Sequence, residues 1–142
     1  MEIKATRKAQ RTRPLKPAPL LAQTKGLLRR FGLRVRKGLG QHFLIDEEAL
    51  GLIISASELT AADVVMEIGP GLGTLTRELA RQAGEVIAVE LDNKLAVILG
   101  ETLASCNNIT IVNEDVLRIA PTALLQAQKP SRVISSPLGY KV

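Results

Sequence analysis

Val64-Val-Met-Glu-Ile-Gly-Pro-Gly-Leu-Gly-Thr-Leu-Thr76 decides how the 142-residue chain folds. Its first five residues read as a short strand. Five residues with three glycines, Gly69 to Gly73, then break any regular structure, and Thr74 to Ala83 reads as a helix with Leu75 and Leu79 on one face, stopped by Gly84. Working outward, Val86-Ile-Ala-Val-Glu90 is a second strand. Asp92 caps a helix carrying Leu95, Ile98, Leu99 and Leu103, and Ile109-Thr-Ile-Val112 is a third strand. A helix with Pro121 near its start runs to about Gln128, followed by a fourth strand, Arg132-Val-Ile-Ser135. Strands alternating with helices predict βαβ units, hence a parallel sheet with helices on both faces. Such a doubly wound sheet usually has about five to seven strands. Four strands therefore suggest part of a larger domain.

Upstream of the strand, Asp46 is a good N-cap, with Glu47 and Glu48 in the first turn where the helix dipole favours them. Leu50, Ile53 and Ile54 mark one apolar face. Leu21, Leu27, Leu28 and Phe31 suggest a short amphipathic helix, weakened by Gly26. Met1 to about Leu20 contains Pro14, Pro17 and Pro19 and no helical period, which reads as a flexible tail. It has no apolar run suited to a secretory signal. It is Arg-rich and acid-poor like a transit peptide, but it lacks serine.

Charge is unevenly placed. Residues 1–40 hold twelve of the nineteen Lys and Arg and one of the fourteen Asp and Glu, leaving a net +11 there and −6 beyond. A basic arm on an acidic body points to a polyanionic partner for the arm. No apolar run is long enough for a membrane span. One Cys, Cys106, and one His give neither an internal disulfide nor a zinc site. At 2% aromatic residues, a single-strand binding platform of stacked rings is excluded as the main device.

The chemistry-bearing residues fall at strand ends. Glycines in Glu67-Ile-Gly-Pro-Gly-Leu-Gly73 let the backbone turn and approach a ligand, and the following helix start offers unpaired N–H groups. The dinucleotide fingerprint G-x-G-x-x-G fails here, because Thr74 stands where its third glycine belongs. The pattern is Glu-x-Gly-x-Gly-x-Gly, the first motif of methyltransferases that use S-adenosylmethionine. Glu90, ending the second strand, can accept from both ribose hydroxyls. Asp115, in Asn113-Glu-Asp115 after the third strand, can accept from an adenine amino group.

These motifs, together with Arg36-Lys-Gly-Leu-Gly-Gln-His-Phe-Leu-Ile-Asp46, resemble the ribosomal RNA small-subunit adenine dimethyltransferases over roughly residues 25 to 135. The Leu-Gly-Gln-His-Phe-Leu run is specific to that family, while the glycine loop is shared by many methyltransferases. The resemblance implies transfer of methyl groups from S-adenosylmethionine to N6 of adenines in small-subunit rRNA. His42 and Leu44 would lie in the loop that closes over the cofactor. Gly69 and Gly71 would bring the backbone against its methionine end, Glu90 would take the ribose hydroxyls and Asp115 the adenine amino group. The implied fold is α/β, a Rossmann-like class I methyltransferase fold truncated after about four parallel strands. Residues 1–40 would be a basic, partly flexible N-terminal arm and residues 41–142 a partial S-adenosylmethionine-binding domain. The implied partner is small-subunit rRNA or the ribosomal subunit, in the cytoplasm, with no metal.

The catalytic motif departs from the family. Its fourth strand ends in Asn-Leu-Pro-Tyr or Asn-Leu-Pro-Phe, where the amide oxygen and a backbone carbonyl accept from the adenine amino group and the ring stacks on the base. This chain reads Ser135-Ser-Pro-Leu-Gly-Tyr140, placing Ser136 at the Asn position and displacing Tyr140 by one. A hydroxyl is shorter than an amide and supplies no equivalent fixed acceptor, so impaired catalysis is expected and the catalytic residues stay unassigned. Two other readings stand beside it: a non-catalytic module binding RNA and S-adenosylmethionine, and a nicotinamide-dependent oxidoreductase.

Overall fold

A computed structural model describes residues 18–34 and 42–127. In chain order the elements are α1 (Leu20–Arg30), α2 (Glu47–Ser57), β1 (Val64–Ile68), α3 (Thr74–Gln82), β2 (Glu85–Glu90), α4 (Asn93–Thr102), β3 (Ile109–Asn113), a 3₁₀ turn (Val116–Arg118) and α5 (Pro121–Ala127). The three strands form one parallel sheet in the order β1-β2-β3, with Ile68 opposite Val89 and Glu90 opposite Asn113. The expected fourth strand, Arg132–Ser135, lies outside the described residues.

β2 is the buried centre. Val86, Ile87 and Ala88 are fully inaccessible, so the strand shows no alternation, as expected where a parallel strand is covered on both faces. Leu79, Ala83 and Val86 form one core, into which Ile54 of α2 and Ile109 of β3 pack. Leu72, Leu95 and Ile98 form another, sealed by Leu27, Leu28 and Phe31 of α1 together with Leu33 and Phe43. All four leucine and isoleucine positions read as the inner face of α4 are buried.

On two helices one residue of the expected apolar face is exposed while the others pack inward. Leu21 is 43% exposed and Thr24 is buried on α1, whose start is tied to α2 by Leu20 N donating to Glu47 Oε1 at 2.8 Å. On α2, Leu50 is buried but Ile53 faces out at 42% exposure. The caps behave as their chemistry dictates. Asp46 accepts from Glu48 N and Ala49 N, and Asp92 from Lys94 N and Leu95 N. Asn108 closes α3 by donating to the carbonyls of Ala80 and Ala83. Gly84 is required by a close approach: a Cβ there would lie 2.3 Å from the Ala61 carbonyl oxygen.

Candidate functional site

The loop from β1 to α3 turns through Gly69, Gly71 and Gly73, at φ of 71°, 59° and 80°. That left-handed region costs an L side chain about 1–2 kcal/mol per residue, which explains the glycines. Gly69 N donates to Val89 O at 2.9 Å, carrying the β1–β2 pairing one step beyond the strand. Gly73, at the N-cap of α3, sits against Leu99 and Leu103 of α4, which fixes where the helix begins.

Glu90 is buried at the end of β2 and clasps the loop from the other side. Its Oε2 accepts from Gly71 N at 3.2 Å and its Oε1 from Asp92 N at 2.9 Å. A carboxylate has about four acceptor positions, so each oxygen retains capacity for a ligand hydroxyl. Asn113, ending β3, donates to Glu90 O at 2.8 Å and holds the two strand ends together. Asp115 starts the 3₁₀ turn, accepting from Leu117 N at 3.0 Å, half-buried. Gly69, Gly71, Glu90 and Asp115 thus line up along the carboxyl ends of three adjacent strands, the place where open parallel sheets bind ligands.

His42 is exposed and Leu44 half-buried in the irregular segment leading to α2. Between them, the Phe43 ring reaches the glycine loop: a Cβ on Gly71 would sit 3.2 Å from it. The segment therefore comes to the loop through Phe43, a residue the sequence reading passed over although it stands inside the quoted motif. Ser136 and Tyr140 lie outside the described residues.

Two further features were missed. Glu67, in β1 opposite Ala88, is a carboxyl among apolar neighbours. Burial pushes it up to about 7; the Thr76 hydroxyl pulls the other way, and the nearby Glu90 charge adds to the rise. Its Oε2 and Thr76 Oγ1 are both fully buried without a hydrogen bond of ordinary geometry. A buried oxygen of this kind suits a cationic donor. Its signal was a single charge inside an otherwise apolar strand. Second, Ile68, Leu91 and Leu117 are 63%, 65% and 90% exposed, beside the loop, Glu90 and Asp115 respectively. Large apolar side chains at strand ends offer faces for a flat ring. Among the described residues, no group of three or more His, Cys, Asp or Glu is placed to hold a metal, and no helix is long and apolar enough to cross a membrane.

The sequence model of ribosomal RNA adenine dimethylases matches residues 32–138. The chain belongs to this family. Ribosomal RNA small subunit methyltransferase A of Dehalococcoides mccartyi is 44% identical over 117 residues, 82% of this chain and 40% of that protein. The protein of the same name from Lactiplantibacillus plantarum is 40% identical over 119 residues, 81% of this chain and 40% of its own length. Among solved structures, the 23S rRNA methyltransferase ErmE is 42% identical with a TM-score of 0.54, over 56% of this chain and 33% of that one. A dimethyladenosine transferase from Plasmodium falciparum is 28% identical with a TM-score of 0.53, over 56% and 30%. The chain spans about 40% of the length of the two curated relatives described above. Its β1–α3–β2–α4–β3 core is that of the class I methyltransferase fold seen in these relatives.

Proposed function

We propose that this chain carries the S-adenosylmethionine-binding half of an rRNA adenine N6,N6-dimethyltransferase site. The observation that carries the proposal is the clasp between Glu90 and Gly71, which presents a buried carboxylate and the glycine-loop backbone to one space at the strand ends. When bound, the cofactor supplies a methyl group on a positively charged sulfur. Glu90 accepts from its ribose hydroxyls, and Asp115 accepts from its adenine amino group. Leu91 and Leu117 cover the faces of that ring. Glu67 offers its unpartnered oxygen to the methionine ammonium, and Gly69 and Gly71 allow the backbone to come close. His42 and Leu44 flank Phe43 in the segment over the loop.

The substrate of this reading is small-subunit rRNA in the cytoplasm, engaged in part by the basic residues of the first forty positions. Isothermal titration with S-adenosylmethionine and with NAD tests it: binding of the first alone supports it, and binding of neither or of NAD alone overturns it. The nicotinamide reading is disfavoured by Thr74, which opens α3 where the dinucleotide fingerprint needs glycine. One sequence observation favours a second reading, a module that binds cofactor and RNA without methyl transfer: Ser136 stands at the position of the family's catalytic Asn. A methylation assay on small-subunit RNA separates the two.

A further inference from the structure

A crevice of about 260 Å³, lined in part by Phe43, lies between the end of α1 and the start of α4. Resting on the function proposed above, we propose that it seats one nucleotide of single-stranded RNA next to the cofactor. Leu33, Phe43 and Leu95 give it an apolar wall with one aromatic ring, suited to the face of a base. Arg34 and Lys94, both exposed, stand at it from two different elements, suited to a phosphodiester.

The remaining polar side chain is Asp92, whose Oδ1 already accepts from Lys94 N at 2.8 Å and Leu95 N at 3.2 Å. That capping duty ties its charge to the α4 amides. The occupant follows from charge. On the α1 side of the crevice, residues 18–34 carry Lys25, Arg29, Arg30 and Arg34 and no Asp or Glu, a local positive charge that attracts a polyanion. The location follows from Phe43, which lines the crevice and also touches the Gly71 position. A nucleotide here is one ring away from the cofactor loop.

The test uses the full chain with a short fluorescein-labelled single-stranded RNA, read by anisotropy across a salt series, and cofactor affinity measured in parallel. Lys94→Ala and Arg34→Ala are each expected to weaken RNA binding about fivefold at ~0.1 M salt and to reduce the log–log salt slope by about 0.7, the signature of one lost phosphate contact on a single strand. Arg81→Ala, remote and paired with Glu78, serves as control and should change neither. Lys94→Glu places an acid in the first turn of α4, where it favours the helix, so a loss of RNA binding there is not a folding defect. Unchanged RNA affinity in the Lys94 and Arg34 variants overturns the proposal, as does an equal loss in Arg81→Ala or a chain that binds no RNA. A matching fall in S-adenosylmethionine affinity also overturns it, by assigning the crevice to the cofactor. Absence of cofactor binding in the unaltered chain is a separate result and strikes the functional reading instead.

Discussion

Glu90 Oε2 and Gly71 N meet at 3.2 Å, joining the end of β2 to the turn after β1 across nineteen residues of sequence. The carboxylate therefore shapes the glycine loop, and on the function proposed above it also takes the cofactor's ribose. Glu90→Ala should weaken S-adenosylmethionine binding by about 1–3 kcal/mol, the usual cost of losing a hydrogen bond to a charged group. Glu90→Gln should lose less, because its amide oxygen can still accept from one backbone N–H. Calorimetric affinities equal in all three proteins would remove Glu90 from the site.

Glu67 predicts a pH dependence. Its native carboxyl titrates near 7 against an ordinary 4.5, so the folded chain holds a proton that the unfolded chain has released. Stability should be greatest below about 4.5 as far as this group is concerned, and should fall by roughly 3 kcal/mol as pH rises from 4.5 to about 7. Glu67→Gln should remove that fall, which denaturant unfolding at a series of pH values would detect. Cofactor binding should run the opposite way and tighten as pH rises through 7, since the ammonium needs the carboxylate.

Two glycines predict effects of opposite sign. Gly84→Ala forces a methyl against the Ala61 carbonyl, where overpacking costs about 1–3 kcal/mol. Gly26→Ala, inside α1 with open space around it, should stabilise by about 0.5–1 kcal/mol through helix propensity. Thermal melts of the two single variants give both signs, and a stabilised Gly84→Ala would show that the β1 approach is looser than described.

The first seventeen residues carry six Lys and Arg. If all six meet phosphates, the logarithm of RNA affinity should fall by about 4 more per tenfold rise in salt than without them. Deleting residues 1–17 leaves α1, and its packing on Leu72, Leu95 and Ile98, in place. An unchanged salt slope after that deletion would refute a role for this segment in RNA binding.

Much of the described core could be read from the chain because local signals agreed. Asp46 and Asp92 announced helix starts, the apolar run of β2 announced a central strand, and the spacing from Glu67 to Gly73 announced a strand–turn–helix. Ile53 and Leu21 stand exposed against expectation: periodicity marks an apolar arc on a helix, while how much of that arc is covered depends on the neighbours that pack on it. At the strand ends, the loop geometry was legible where a backbone motif fixes it, at Gly69, Gly71 and Glu90. The environment of Glu67 was not legible, since desolvation arises from what β2 and α3 pack around the carboxyl. Nor was that of Arg34 and Lys94, which are far apart in sequence and share a crevice only after α1 docks on α4.

Phe43 has one face of its surroundings in the glycine loop and another in the α1–α4 crevice. On the two bindings proposed above, a ring held in common would be the contact through which the occupants sense each other. Whatever factor the small molecule imposes on the affinity of the strand, the strand must impose on the small molecule, because the cycle of binding free energies closes. The same ring could then serve as a sorting device: a strand seated before the donor arrives would bias the loop toward, or against, its loading. The sign would tell whether the chain gathers its two ligands together or takes them in turn.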